Sequence, residues 1–251
     1  MLVRRFRHAY AVLARVLVRS IIVVVGRLDV EGRENLPPQG PFICVTNHLS
    51  KVDAPLVLVA LPVHLSVRVF AASKWRPHPV FGPILGLSGA IWVRRGEVDR
   101  KALHEVFAAL KEGQVLGMAP EGTRSRSQTL QKARQGAAYI ASRARVPVVP
   151  MAIINSDRFQ ANILKLRRTH FRVRIGEPLR LPELAKPARG EQLEAYSELI
   201  MAHIAALLPQ RYWGHYATSP ALAALQSGED PWPAALAAVG RQVGGSEADE
   251  T

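Results

Sequence analysis

The chain has a single cysteine, Cys44, in 251 residues. A lone cysteine excludes an intramolecular disulfide and any zinc site built on thiolates, and it fits a reducing compartment. Acid is scarce too: 20 Asp and Glu stand against 33 Lys and Arg, for a net charge of +13. The resulting pI, near 10.7, says little about fold but selects anionic partners: nucleic acid, an acidic membrane surface, phosphorylated substrates or an acidic carrier protein. Long apolar runs are missing as well. Only seven residues, Ser20 to Gly26, separate Arg19 from Arg27, and Pro77 to Val93 is interrupted by Pro79, Gly82, Pro83, Gly86 and Gly89. A spanning helix needs roughly 20 apolar residues, so none is expected.

What is present is a chain 48% hydrophobic and 21% charged, a composition that folds around a buried core. Residues 1–27 carry six arginines and no acid. At about 100° per residue, Phe6, Tyr10, Leu13, Leu17, Ile21 and Val24 gather on one side of a helix from about Leu2 to Val25. Arg4, His8, Arg15 and Arg19 gather opposite. An apolar face beside a cationic one suits a helix lying in a headgroup layer; the alternative is a helix docked on the protein's own core. Arginines interrupt the run and no small-residue cleavage site follows, which argues against a secretory signal.

Beyond a turn-rich connector (residues 33–40), strand-length apolar runs are predicted at Phe42–Thr46, Val67–Ala71, Ala90–Val93, Val115–Ala119, Val148–Ile154 and Phe171–Ile175. Helices are predicted between them at Ala54–Leu61, Asp99–Lys111, Ala133–Arg143 and Gly190–Leu208. Strands alternating with helices give an α/β fold. The expected architecture is a single domain with a mainly buried mixed sheet flanked by helices, preceded by the amphipathic helix. The boundaries drawn are 1–28 for that helix, 29–212 for the main domain and 213–251 for an extension whose last ten residues or so read as disordered.

Directly after the first strand, His48 and Asp53 stand five residues apart. On a regular helix that spacing is roughly 140° of rotation, so the two would not share a face. They meet if His48 lies in the loop and Asp53 at the start of the next helix, a start that Pro55 supports. A histidine takes a proton from a hydroxyl at neutral pH, and a carboxylate on its other ring nitrogen holds the tautomer and stabilises the imidazolium. If a substrate alcohol attacks, no enzyme nucleophile is needed. Taken alone, the pair also fits a loop histidine followed by a capping aspartate.

Further segments decide between these. Asn47-His48-x4-Asp53, Gly89-Ala90-Ile91-Trp92-Val93-Arg94-Arg95, Pro120-Glu121-Gly122-Thr123-Arg124-Ser125 and Val146-Pro147-Val148-Val149-Pro150 occur in that order. With Ile175-Gly176-Glu177-Pro178-Leu179 near the end, this set resembles the glycerolipid acyltransferases typified by 1-acyl-sn-glycerol-3-phosphate acyltransferase, from about Val30 to Leu208. The resemblance implies that His48 is the catalytic base and Asp53 its partner. It implies that Arg95 and Arg124 hold the acceptor's phosphate, and that the acceptor is of the lysophosphatidic acid type, with glycerol-3-phosphate, another lysophospholipid or a glycolipid as the alternatives. The acyl group comes from acyl-CoA or an acyl carrier protein as co-substrate, with no other cofactor and no metal. An anionic membrane is then the expected surface, met at its cytoplasmic face by a peripheral or monotopic protein.

The residues themselves allow such a site. Glu121 to Ser125 follow a strand, at the sheet edge that ligands favour. Gly122 admits a close backbone approach, and Thr123, Arg124 and Ser125 supply donors for phosphate. Glu121 is expected to orient an arginine or accept from a substrate hydroxyl. Ala119, and Ala133-Arg134-Gln135-Gly136 where the family often has Phe-Lys-x-Gly, lack two usual aromatic side chains but keep a cation at Arg134.

Rival classes fit less well. Nucleic-acid binding lacks zinc-finger spacing and aromatic-rich signatures. Gly86-Leu87-Ser88-Gly89-Ala90 misses the nucleophile elbow of serine hydrolases, which needs glycine where Ala90 stands. A lipid-binding protein without turnover would not need both His48 and Asp53.

Overall fold

Alternate side chains of a strand go to opposite faces of its sheet, and in Phe42–Thr46 both faces are apolar. Ile43 and Val45 enter one hydrophobic cluster, and Phe42 and Cys44 enter another. A strand of this kind must be covered on both sides. The computed structural model describes residues 2–79, 82, 85–86, 89–93, 99–184 and 187–246, without the side chains of 2–9, 11 and 240–246. Arg94, Arg95 and Ser88 therefore lie outside the described residues.

Among the described residues one seven-stranded sheet forms: β1 (Gly26–Glu31), β2 (Phe42–Thr46), β3 (Val67–Ala72), β4 (Ile91–Val93), β5 (Val115–Met118), β6 (Val148–Ile154) and β7 (Thr169–Ile175), in the order β1-β7-β6-β2-β5-β3-β4. The strands from β6 to β4 are parallel to one another; β7 runs antiparallel to β6, and β1 parallel to β7. The sheet is mixed, as expected. β1 is an addition: its polar Arg27, Asp29 and Glu31 carry no buried-strand signal, and it follows the first helix without a turn.

The helices are α1 (Leu2–Val25), α2 (Asp53–Ala60), α3 (Arg100–Lys111), α4 (Gly136–Ala144), α5 (Phe159–Leu164), α6 (Glu191–Leu207), α7 (Pro220–Ser227) and α8 (Pro231–Ser246). α2 buries Leu56, Val57 and Ala60 in the cluster with Phe42, whereas α3, α4 and α6 bury Ala102, Ala138, Ile140 and Ile200 in the cluster with Ile43. The chain leaving β2 thus turns to one face and the chain leaving its neighbour β5 turns to the other. Two adjacent parallel strands whose connections diverge leave a crevice at their carboxyl ends, where open α/β sheets bind ligands. His48 follows β2 and Glu121 follows β5, so both loops open onto this crevice.

α1 has the expected length and leaves its apolar side outward, as a helix lying in a headgroup layer would. Leu13, Leu17, Ile21 and Val24 are exposed, while Val18 and Ile22 pack on the α2 side of the sheet. Arg15, read as headgroup-facing, is buried: Nη1 donates to the Pro62 carbonyl at 2.8 Å and Nη2 to that of Leu65 at 2.9 Å. Those carbonyls belong to the turn that follows α2, where the Pro62 carbonyl also accepts the Leu65 N–H at 3.2 Å, and the guanidinium bridges the two. The helix therefore docks through Arg15, Val18 and Ile22 and turns the side bearing Leu13, Leu17, Ile21 and Val24 outward. No helix among the described residues is long and apolar enough to cross a membrane.

α7 and α8 pack against α6, with Tyr196 stacked on Trp232 at 5.0 Å between ring centroids. α8 is helical through Ser246, and the rest of the tail read as disordered lies outside the described residues.

Candidate active site

Asp53 is the first residue of α2 and is buried. Its Oδ2 accepts from His48 Nδ1 at 2.9 Å and from the backbone N–H groups of Leu49 and Ser50, each at 2.7 Å. An aspartate with its side chain turned back over the preceding loop closes that loop into a tight turn. The turn brings together two residues that a continuous helix would have separated. An ionised carboxylate only accepts, so His48 carries its proton on Nδ1 and keeps a lone pair on Nε2. Asp53 Oδ1 is buried and accepts no bond among the described residues. The carboxylate lies against the ring of His48, which is itself partly exposed.

The loop after β5 holds the backbone of His48 at both ends. Glu121 Oε1 accepts the His48 N–H at 2.9 Å, and the Ser125 N–H donates to the His48 carbonyl at 2.8 Å. Gly122, Thr123 and Arg124 lie between these two anchors, so the loop cannot drift from the histidine. Glu121 Oε2 accepts the Gln131 N–H at 3.0 Å. Burial pushes the Glu121 carboxyl above its usual value, and the two backbone donors oppose that rise. Among the described residues no arginine bonds Glu121. A buried carboxylate needs donors, and here the backbone provides them.

The proposed phosphate donors divide. Ser125 is buried and its hydroxyl meets Ser127 Oγ at 3.1 Å, which continues to Thr129 Oγ1 at 2.9 Å. Thr123 is half-buried and Arg124 exposed, and neither side chain has a partner among the described residues. Gly122 has φ +69, and a Cβ there would meet Arg134 Cδ at 2.8 Å. The left-handed backbone is what favours glycine here, and the Arg134 side chain passes close over it. Arg134, exposed beside this turn, is a third cation that the sequence marked only as a retained charge.

Asn47 is another residue whose part sequence reasoning did not see. Fully buried, it donates from Nδ2 to the Ile153 carbonyl at 2.9 Å and accepts the Ile153 N–H on Oδ1 at 2.8 Å. The side chain takes over the ladder from β2 to β6 one residue past the last backbone pair, Thr46 with Met151. The main chain is then free to turn away with His48. The only sequence signal was its place beside the histidine.

The other features do not compete for the crevice. Burial raises the Cys44 thiol far above its usual value, which leaves it unreactive. Among the described residues no three His, Cys, Asp or Glu side chains gather to hold a metal. A cavity of about 280 Å³ lined by Arg143, Arg145 and Arg180 lies where Leu179 bridges Val148, at the start of β6 and so at the sheet edge opposite His48.

An acyltransferase family model matches residues 27–154, and the chain belongs to that acyltransferase family. It is 26% identical over 197 residues to a 1-acyl-sn-glycerol-3-phosphate acyltransferase of Cocos nucifera, covering 76% of this chain and 61% of that one. It is 27% identical over 194 residues to the Bacillus subtilis protein of the same name, covering 74% of this chain and 90% of that one. The crystal structure of the 1-acyl-sn-glycerophosphate (LPA) acyltransferase PlsC from Thermotoga maritima superposes with a TM-score of 0.59 at 27% identity, covering 73% of each chain. Against several plant and bacterial relatives the chain spans only 44% to 61% of their length.

Proposed function

We propose that the chain is an O-acyltransferase that moves an acyl group from an acyl thioester to the free hydroxyl of a lysophosphatidic acid-type acceptor, making phosphatidic acid. The observation that carries this is the grip on His48. Asp53 holds its ring, and the loop bearing Thr123 and Arg124 holds its backbone at both ends.

In the reaction, His48 Nε2 takes the proton of the acceptor hydroxyl as its oxygen attacks the thioester carbonyl. The C–O bond forms, the tetrahedral adduct collapses, and the C–S bond breaks. The same proton then passes from Nε2 to the departing thiolate. Asp53 stabilises the imidazolium between the two transfers. Arg124, with Arg95 and Arg134, binds the acceptor's phosphate, and Thr123 adds a hydroxyl donor. Positioning of this kind lowers a barrier by several kcal/mol, and base catalysis adds about 10²–10⁴-fold. The steps need no cofactor beyond the co-substrate, acyl-CoA or an acyl carrier protein.

The place of action is the cytoplasmic face of an anionic membrane, held peripherally. Its support is the outward apolar side of α1 and the excess of cations. The test is acyl transfer by the purified chain across lysophosphatidic acid, glycerol-3-phosphate and other lysophospholipids, with both donor types. Turnover greatest on lysophosphatidic acid is expected. No transfer to any acceptor from either donor defeats the reading.

A further inference from the structure

The turn between α5 and β7 holds a leucine where helices usually place glycine. Arg167 N–H donates to the Asn162 carbonyl at 2.8 Å and Leu166 N–H to that of Ile163 at 3.1 Å. This is the paired bonding that closes a helix through a left-handed residue, and that residue is Leu166, at φ +51. A leucine is disfavoured there, because its Cβ crowds the following carbonyl. Nothing inside the fold rewards it: Leu166 is 96% exposed and Leu164 80%. Strain held by a side chain that packs on nothing internal points to a contact outside the chain.

The surrounding charge states what kind. Residues 159–168 contain no acid. On the neighbouring strand, Arg172 and Arg174 are paired with Glu31 and His170 with Asp29, whereas the exposed Lys165 and Arg167 have no partner among the described residues. Bare leucines flanked by unneutralised cations match an anionic lipid surface, which takes the apolar tips below its headgroups and the cations among them.

Position agrees. Arg168 donates to the Val23 and Gly26 carbonyls at 2.5 and 2.7 Å, so the turn is tied to the end of α1. β7 starts where β6 ends, with Arg172 opposite Ile154, which puts the turn at the sheet edge that carries His48.

We propose that the turn from Ile163 to Arg168 is a second lipid-contacting element, inserting Leu164 and Leu166 into an anionic bilayer beside α1. It rests on the membrane reading above, and the two are separable by experiment. The full chain is sedimented with vesicles of phosphatidylcholine containing about 30% phosphatidylglycerol. Two variants are compared: Leu164→Ser/Leu166→Gly in the turn, and Leu17→Ser/Ile21→Ser on the outward side of α1. The turn variant should partition at least about 10-fold less with no fall in melting temperature, since glycine relieves the left-handed strain. Its turnover of a short-chain, water-soluble acceptor should match the parent's. Parent-like partitioning of the turn variant, with loss confined to the α1 variant, overturns the proposal and leaves the membrane reading standing. A parent that ignores the vesicles overturns both. A parent dimer that the turn variant breaks, with vesicle binding intact, makes the turn a contact between copies and also overturns the proposal.

Discussion

Glu121 and His48 meet through the backbone: the carboxylate accepts the histidine's main-chain N–H at 2.9 Å. Its second oxygen does the same for Gln131, so one buried side chain joins three stretches of the site. Glu121→Gln leaves one of these N–H groups facing an amide donor, and the loss of a buried bond costs about 1–3 kcal/mol. Thermal or chemical denaturation reads this directly; an unchanged stability removes Glu121 from its anchoring position.

The same residue gives a pH dependence. Burial raises the folded-state value of Glu121 above its ordinary one, near 4.5, so over that window the folded protein holds a proton the unfolded chain has released. Stability contributed by this proton is complete below the unfolded value and lost as pH rises through the folded one. Relative to Glu121→Gln, the parent should gain stability as pH falls from neutral toward 4.5. Parallel stability curves for the two proteins contradict the assignment.

For the dyad, His48→Ala should abolish nearly all turnover in a protein that melts like the parent. Asp53→Asn should lower kcat by about 10²–10⁴-fold, because an amide can present its N–H to His48 and reverse the tautomer. Near-parental turnover by a folded His48→Ala protein sinks the mechanism.

Arg124 lies exposed between the two anchors on His48, and its side chain has no partner among the described residues. Arg124→Ala should raise the acceptor KM with little change in kcat or melting temperature, and Arg134→Gln should do the same more weakly. Substrate titration separates this from a structural role; an acceptor KM unmoved in both variants counts against the phosphate cradle.

Asn47 allows a sharper stability test. In Asn47→Asp the donor facing the Ile153 carbonyl becomes an acceptor in a site with no exposure to water. A loss of about 3 kcal/mol or more is expected, with activity falling in step because His48 follows directly. Denaturant titration resolves a loss of that size, and a variant as stable as the parent means the side chain is not holding β2 to β6.

Much of this molecule was legible from its residues, for identifiable reasons. β2 and β6 match their predicted limits, Phe42–Thr46 and Val148–Ile154, because strands buried on both faces read as unbroken apolar runs. β1 was illegible, since an edge strand tolerates charged positions such as Arg27, Asp29 and Glu31. The His48–Asp53 contact followed from spacing and Pro55. The clamp of Asn47 on Ile153 did not, because its partner is 106 residues away. The role of Glu121 was hidden for the same reason. Helical periodicity separated the two sides of α1, yet it could not tell which side docks. That depended on the carbonyls of Pro62 and Leu65 standing within reach of Arg15, which no pattern within the helix records.

α1 passes into β1 between Val25 and Gly26 without a turn, and Arg168 bonds carbonyls on both sides of that junction. The joint is splinted. A protein on a flexible tether samples every heading toward the surface it rides on. On the proposed membrane reading, this chain has a single attitude built in: wherever the outward side of α1 comes to rest, the edge bearing His48 arrives at a set angle. Delivery of the hydroxyl is then a matter of how the body is parked, settled before any substrate enters.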